Sequence, residues 1–146
     1  KGHLRKRFGQ RGKGKGEFNF PTMIWQHQDG SILVTDSLNF RIQKFNIDGQ
    51  YLGQFGELGN ASGFHSRPKG LATDSAGRVY IVDSLFHNIQ IFNSAGNFLL
   101  DIGEQGQGKG QFWLPTGIFI DEKKKIYVAD SHNRRVQVFR YLGTEQ

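Results

Sequence analysis

The chain repeats itself every 47 residues, and this period limits what it can fold into. Three kinds of residue keep the spacing throughout: prolines (Pro21, Pro68, Pro115), aspartates (Asp36, Asp83, Asp130) and phenylalanines (Phe45, Phe92, Phe139). No insertion or deletion breaks the register. A period in the forties fits either a pair of helices or a four-stranded β unit, stacked side by side.

The local pattern within each repeat favours strands over helices. A helix pair would need apolar residues at three- and four-residue spacing over a dozen positions, and no segment shows this. Instead, Val136 and Val138 alternate with the polar Arg135 and Gln137, and glycine-rich turns separate such segments. The sequence therefore predicts an all-β chain built from the four-stranded blades of a β-propeller.

The register places three blades and one extra strand on the chain. We expect a lone outer strand over 3–8, blade 1 at about 20–55, blade 2 at about 67–102, and blade 3 at about 114–140, which lacks its own outer strand. Propellers usually have four to eight blades, so three cannot close a ring. A half-propeller is expected, closed either by self-association of two copies or by the remainder of a longer propeller.

Composition narrows the class of protein. Twenty glycines suit a turn-rich all-β chain, and the absence of cysteine excludes disulfides and thiol catalysis. No apolar run approaches 18 residues, so no transmembrane helix is expected. The compartment stays open, since a cytoplasmic and an extracytoplasmic protein are both compatible with these features.

Three sets of shared residues are predicted to be structural. Asp36, Asp83 and Asp130 each precede a serine at a turn, where a carboxylate can accept backbone N–H groups. The phenylalanines ahead of each proline are expected to plug between blades (Phe18, Phe64, Phe112). The third-strand glutamines are expected to face a neighbouring strand or solvent (Gln43, Gln90, Gln137).

Residues that differ between repeats are candidates for binding, because positions that keep the fold are shared. In a propeller, the linkers from outer to inner strands share one rim with the turns between second and third strands, and we call this rim the loop face. Basic, aromatic and histidine side chains are predicted there: Arg11, Lys13, Lys15, Phe40, Arg41, Phe86, His87, His132 and Arg134. Arginine and aromatic residues are typical anchors of protein interfaces. They also bind single-stranded nucleic acid, where aromatic rings stack on bases.

The net charge of +6 is concentrated near the start of the chain. Residues 1–48 carry nine Lys or Arg against four Asp or Glu. This basic stretch is either a solvated loop or a patch that attracts an acidic protein, a nucleic acid or a lipid head group.

Blade 1 departs most from the other two. Trp25 stands where the other repeats have Ala72 and Phe119, and His27 stands where they have aspartates. Two interpretations stay open: these residues contact a ligand near the central channel, or they are a larger core residue and a drifted turn.

The repeat resembles the NHL family. Pro115–Ile118 is similar to its P-x-G-I/V segment, Ile126–Asp130 to its I-Y-V-A-D strand, and Asn133–Phe139 to its N-x-R-I/V-Q-V-F segment. The linker Gly106–Phe112 resembles its G-x-G-x-G-x-F, and the likeness recurs three times. The resemblance implies a six-bladed propeller, of which three blades supply half.

The expected function is that of a non-catalytic scaffold that binds a protein partner through the loop face. RNA or single-stranded nucleic acid on the same face is the alternative, which relatives of the tripartite-motif type imply. A metal-dependent lyase of the peptidyl-hydroxyglycine type is a further alternative that the resemblance implies. The five histidines each occupy a different repeat position with no pair at ligand spacing, so no catalytic residue, metal ligand or cofactor is predicted.

Overall fold

The computed structural model describes residues 2–142, and strands dominate this part of the chain. Two short strands pair in parallel at the start, β1 (Gln10–Arg11) and β2 (Glu17–Phe18). Blade 1 comprises β3 (Pro21–Gln26), β4 (Ile32–Asp36), β5 (Arg41–Phe45) and β6 (Tyr51–Phe55). Blade 2 comprises β7 (Pro68–Thr73), β8 (Val79–Asp83), β9 (Asn88–Phe92) and β10 (Phe98–Ile102). Blade 3 comprises β11 (Gly117–Ile120), β12 (Lys125–Asp130) and β13 (Arg135–Arg140).

Each blade is an antiparallel meander in which consecutive strands pair. The turn between the second and third strands ends on a non-glycine residue in the left-handed region, at Phe40, His87 and Arg134, with φ of 58°, 55° and 55°. In blade 1 this turn is a short 3-10 helix over Ser37–Asn39. Because the same strained position recurs 47 residues apart, backbone geometry repeats along with sequence.

The core lies between neighbouring blades. Leu33 of blade 1 packs with Leu71 and Val79 of blade 2, and Tyr80 of blade 2 packs with Val128 of blade 3. The inner strands approach closely as well: a Cβ added to Gly70 of β7 would lie 2.6 Å from the Thr116 carbonyl oxygen. Only glycine fits at this crossing, so adjacent blades are held by backbone proximity as well as by side-chain burial.

A buried aspartate ends the second strand of every blade. Asp130 is fully buried and accepts the Trp113 backbone N–H at 2.8 Å and the Arg135 Nε at 2.8 Å. Burial alone would raise the pKa of Asp130, but these donors and Asn133 together lower it. The predicted structural role is therefore found, although the main backbone donor in blades 1 and 3 comes from the linker and not from the aspartate's own turn.

The third-strand glutamines were expected to face a neighbouring strand or solvent, and each of them binds a linker. Gln43 is fully buried, accepts the Gly16 N–H at 2.9 Å and donates to the Glu17 carbonyl at 2.7 Å. Gln90 and Gln137 bind the next two linkers in the same way. An amide side chain carries both a donor and an acceptor, so one residue can satisfy a linker's N–H and C=O together.

In blade 2 the aromatic side chain that packs against the third-strand phenylalanine is a histidine. The prediction that Phe64 takes this place was wrong. Phe18 and Phe112 each lie 5.6 Å from the phenylalanine that ends their third strand, and His65 lies 5.6 Å from Phe92 at the equivalent position. The register of 47 residues leads from Phe18 to His65, one residue after Phe64. Both ring nitrogens of the buried His65 lack a hydrogen-bond partner within the described residues.

A second substitution accompanies this histidine. The arginine that pairs with the buried aspartate in blades 1 and 3 is replaced in blade 2 by Asn88. His65 Nδ1 lies 3.7 Å from Asp83 Oδ2 instead. Blade 2 thus exchanges a phenylalanine and an arginine for a histidine and an asparagine, which keeps one group that can carry positive charge beside the carboxylate.

The outward faces of the first and last blades expose apolar residues that are buried at equivalent positions elsewhere. Val136 of blade 3 is 64% exposed, whereas Ile89, its equivalent in blade 2, is 0% exposed. Ile24 of blade 1 is 61% exposed, whereas its equivalent Leu71 is 0% exposed. Both faces therefore have the chemistry of a blade interface without the neighbouring blade.

Residues 2–9 form no strand in the described chain, so the predicted outer strand over 3–8 is not formed there. A lone strand needs the third strand of a preceding blade as its edge, and none is present. Phe8 nevertheless sits where an outer strand would place it. Its ring lies 5.2 Å from Phe45, just as Phe55 of β6 lies 5.3 Å from Phe92.

The exchange in blade 2 predicts a stabilising double substitution. His65→Phe with Asn88→Arg should raise the free energy of unfolding by about 1 kcal/mol or more, because it removes two buried, unbonded nitrogens and restores the arginine beside the aspartate. Urea denaturation of the wild type, both single variants and the double variant would measure this. A double variant less stable than the sum of the two single effects would show that the two positions do not compensate each other.

Candidate functional site

The first linker is a rigid support for basic side chains. Glu17 Oε1 accepts the Gln10 side-chain amide at 2.8 Å, and Glu17 Oε2 accepts the Gly14 N–H at 2.8 Å. These bonds, led by that from Gln10, lower the pKa of Glu17. Arg11, Lys13 and Lys15 are all exposed on this loop, and Lys15 Nζ lies 5.9 Å from the centre of the Tyr51 ring.

Lys13 and Phe40 lie together on the loop face. They line a cavity of about 250 Å³ whose wall also includes Glu57 and Leu58 of the next linker. Leu58 is 62% exposed. The cavity therefore joins charged and apolar groups on one rim.

Arg41 is committed to the fold, and the expectation that it is open to a partner was wrong. It is buried, and its Nε donates to Asp36 Oδ2 at 2.9 Å. Its two terminal nitrogens donate to the Gln54 side chain and to the carbonyls of Gly14 and Glu17. Every nitrogen of the guanidinium is therefore used to hold the linker and the outer strand against the blade.

Trp25 and His27 lie between blades 1 and 2, which favours the core interpretation over the ligand contact. The Trp25 Nε1 donates to Thr73 Oγ1 at 2.9 Å. His27 is buried and its Nε2 lies 3.3 Å from the Gly77 carbonyl. Both side chains tie the two blades together.

The turns of blades 2 and 3 supply the remaining predicted residues. Phe86 and His87 are half-buried, and the Leu114 N–H donates to His87 Nδ1 at 3.0 Å. His87 thus holds a linker in place. Arg134 and His132 are exposed in the equivalent turn of blade 3.

A pocket of about 220 Å³ opens where blades 2 and 3 meet on the loop face, and we call it the seam pocket. Two cations and a histidine line it together with three hydroxyl side chains: Arg67, Lys69, His132, Ser84, Thr116 and Ser131. The Thr116 and Ser131 hydroxyls, both on the blade 3 side of the pocket, lie 2.6 Å apart. Leu85 and Leu114 complete the wall.

The sequence reasoning missed Arg67, Lys69 and a tryptophan beside the pocket. Trp113 is 39% exposed, and its ring centre lies 5.6 Å from that of His132. Divergence between repeats was the available signal: Trp113 stands where the other copies have Asn19 and Ser66. This divergence lies at the end of the linker, just ahead of the inner strand.

Within residues 2–142, no three histidine, cysteine, aspartate or glutamate side chains are arranged to hold a metal ion. No helix in the same range is long and apolar enough to cross a membrane.

Comparison with known sequences adds one match. A sequence family described as a 6-bladed beta-propeller (DUF5128) matches residues 70–144, just over half of the chain. No curated protein sequence matches significantly.

Several solved structures share the fold. A streptogramin B lyase is 18% identical with a TM-score of 0.66, over 85% of this chain and 38% of that one. A Bacteroides thetaiotaomicron protein of unknown function is 16% identical with a TM-score of 0.67, over 81% and 34%. A catalytically inactive virginiamycin B lyase from Staphylococcus aureus, with quinupristin, is 15% identical with a TM-score of 0.62, over 91% and 44%.

The chain therefore spans less than half the length of these structures. At such identities the likeness concerns the fold alone. Together with the family match, it confirms the predicted all-β propeller fold.

The contrast between Arg41 and Arg11 predicts their effects on stability. Arg41→Ala should lower the free energy of unfolding by about 3 kcal/mol, because it leaves the buried Asp36 carboxylate without its cation. Arg11→Ala, on the exposed linker, should change it by less than about 0.5 kcal/mol. Chemical denaturation of both variants checks this, and equal effects would contradict the structural role given to Arg41.

Proposed function

Because the chain belongs to the family of 6-bladed beta-propellers, we propose that it is a non-catalytic binding scaffold which binds a protein partner through its loop face. Propellers present a rigid rim, and what they bind is decided by the loops on it. The observation that carries the proposal is the meeting of exposed cations and exposed apolar side chains on one rim, at the Lys13–Phe40 cavity and at the seam pocket. The repeats themselves are of the NHL type in this proposal.

The charge on the loop face suits a partner with an acidic segment. Arg11, Lys13 and Lys15 project from one linker, and Arg67 and Arg134 are exposed on the same rim. Such a patch attracts acidic surfaces and speeds their association.

Exposed leucines favour a protein over a nucleic acid. Leu58 and Leu85 are 62% and 48% exposed on the loop face. Leucine fills pockets in protein interfaces but offers no flat ring for a base to stack on. The Trp113 ring is already in a tilted contact with the His132 ring, with 5.6 Å between their centres. Nucleic acid remains the second candidate because the cations alone would bind phosphates.

The lyase alternative has less support. The two lyases reported above are 18% and 15% identical to this chain, and identities this low do not show that the chain shares their activity. A metal-dependent lyase would need several histidine or carboxylate ligands converging on one point. Three histidines instead have separate structural contacts. His65 packs against Phe92, His87 accepts a hydrogen bond from the Leu114 N–H, and His132 contacts the Trp113 ring.

We further propose that three more blades, in a second copy or in the remainder of a longer propeller, complete the ring. The open faces of blades 1 and 3 have the composition of blade interfaces, as Ile24 and Val136 show. A second copy would place residues 3–8 along β13. By the register of the other blades, Arg7 takes the place of Gln54, which accepts a hydrogen bond from Arg41. Arg7 would then lie diagonally across from Arg135, within reach of its long side chain, and like charges across strands destabilise pairing.

A direct binding measurement tests the scaffold. A fluorescein-labelled ten-residue peptide rich in glutamate and leucine should bind the chain by fluorescence anisotropy at 150 mM salt. A ten-nucleotide oligouridine of similar charge should bind more weakly and lose affinity steeply with salt. Lys13→Glu with Lys15→Glu should weaken peptide binding by about tenfold.

The matched control is Lys123→Glu with Lys124→Glu, in the hairpin between β11 and β12 on the opposite rim, and it should leave peptide binding nearly unchanged. Tighter binding of oligouridine than of peptide would move the function to nucleic acid. Binding of neither probe would contradict the loop-face proposal.

The charge clash at Arg7 can be tested by reversing it. Arg7→Glu should strengthen self-association several-fold in analytical ultracentrifugation, toward twice the 16.6 kDa chain mass, because the carboxylate introduced in one copy would pair with Arg135 of the other. The control is Lys6→Glu, which places the same charge on the other side of the segment. Equal effects of the two substitutions would show that residues 3–8 do not follow the register of an outer strand.

A further inference from the structure

The seam pocket gathers three positions at which the repeats differ. Arg67 stands where blades 1 and 3 have Phe20 and Leu114. Lys69 stands where they have threonines, and His132 stands where the other two turns have leucines. The departure at His65 lies in the core beside the buried Asp83, whereas these three departures line one open pocket. Their shared place in the pocket points to a role other than folding.

The pocket carries positive charge that the rest of the structure does not neutralise. Among the described residues, neither the Arg67 guanidinium nor the Lys69 ammonium group has a hydrogen-bond or ion-pair partner, and no carboxylate lines the pocket. The nearby Asp83 is fully buried, and its oxygens accept the backbone N–H groups of Ser66, Arg67 and Leu85. Asp130, also fully buried, is paired with Arg135.

The polar groups of the pocket match an oxyanion. A guanidinium can hold a carboxylate through two parallel hydrogen bonds, and an ammonium group adds a further donor. The Thr116 and Ser131 hydroxyls are hydrogen-bonded to each other at 2.6 Å, and the hydroxyl that accepts this bond keeps its own hydrogen for an acceptor in the pocket. Leu85 and Leu114 would contact the aliphatic part of the bound group.

The volume limits what can enter. About 220 Å³ is below the roughly 300–1,000 Å³ of typical small-molecule sites. It is about seven times the ~30 Å³ that a water molecule occupies in the liquid. One side chain or one chain terminus fits these limits better than a cofactor or a nucleotide.

We propose that the seam pocket binds a single carboxylate of the protein partner, held by Arg67 and Lys69. The proposal rests on the scaffold function and names the group that the loop face recognises. The carboxylate comes from a glutamate or aspartate side chain or from a C-terminus, and both sources share the chemistry that the pocket offers.

Nuclear magnetic resonance titration of the 146-residue chain tests the site with three defined probes. Acetyl-Gly-Glu-Gly-amide carries only a side-chain carboxylate, and acetyl-Gly-Gly-Gly carries only a terminal one, so they distinguish the two sources. Inorganic phosphate is the third probe, and acetyl-Gly-Gln-Gly-amide is the neutral control. At least one carboxylate peptide should shift the backbone amides of Ser84, Ser131 and His132 in a saturable way, while the neutral control should not.

Arg67→Gln with Lys69→Gln should raise the dissociation constant of that peptide at least about tenfold. Lys123→Gln with Lys124→Gln removes the same charge from the opposite rim, in the hairpin between β11 and β12, and should leave the dissociation constant within about twofold. Equal effects of the two double variants, or tighter binding of phosphate than of either carboxylate, would overturn the proposal. If the seam variant still binds the ten-residue acidic peptide as well as the wild type does, the scaffold function stands and the seam pocket alone is refuted.

Discussion

One buried carboxylate per blade is the interaction on which the rest of the structure depends. Asp36, Asp83 and Asp130 sit where the second strand ends, and each is fully buried. Each accepts a backbone N–H from the linker that enters its own blade, at Asn19, Ser66 and Trp113, over 2.7–2.8 Å. Without this acceptor the linker amides would be left unsatisfied beside the core, at a cost of about 1–3 kcal/mol each. The carboxylates therefore fix the linkers, and the linkers form the loop face.

This constraint also explains which residues remain for binding. The aspartate and the third-strand glutamine hold the linker in every blade, and in blades 1 and 3 an arginine joins them, as Asp130, Arg135 and Gln137 show in blade 3. We call this set of side chains the clamp. Positions next to the clamp are exposed, and their residues differ between blades. Arg67 follows the clamped Ser66 directly, and His132 lies in the turn after Asp130. The seam pocket is built from neighbours of the clamp, which is why its side chains are held in place by a rigid backbone.

Much of the fold could be predicted from the sequence because one period of 47 residues ties every element to two others. The blades, their strands and the missing neighbours follow from that register. The role of Arg41 could not be read in this way, since a basic residue in a polar turn looks exposed until the buried aspartate beside it is known. For the glutamines, a neighbouring strand and solvent both stayed open for a similar reason: alternation gives the side of a strand on which Gln43 lies, but not that a linker covers it.

The site was predicted only in part, because its residues come from two blades. His132 could be named from its turn, whereas Arg67 and Lys69 precede the inner strand of the neighbouring blade or lie at its start. Their proximity depends on how closely blades 2 and 3 pack, which the contact at Gly70 sets and which periodicity alone does not reveal. His65 and Asn88 show the same limit, since their joint departure has meaning only once both are seen around Asp83.

Hydrogen exchange of the linker amides tests the central clamp most directly. The account predicts that the amides of Asn19, Ser66 and Trp113 exchange on the order of 100-fold more slowly than that of the exposed linker residue Lys13, although all four lie outside the blade strands. Exchange of all four at the same fast rate would contradict it, because the aspartates would then not be holding the linkers.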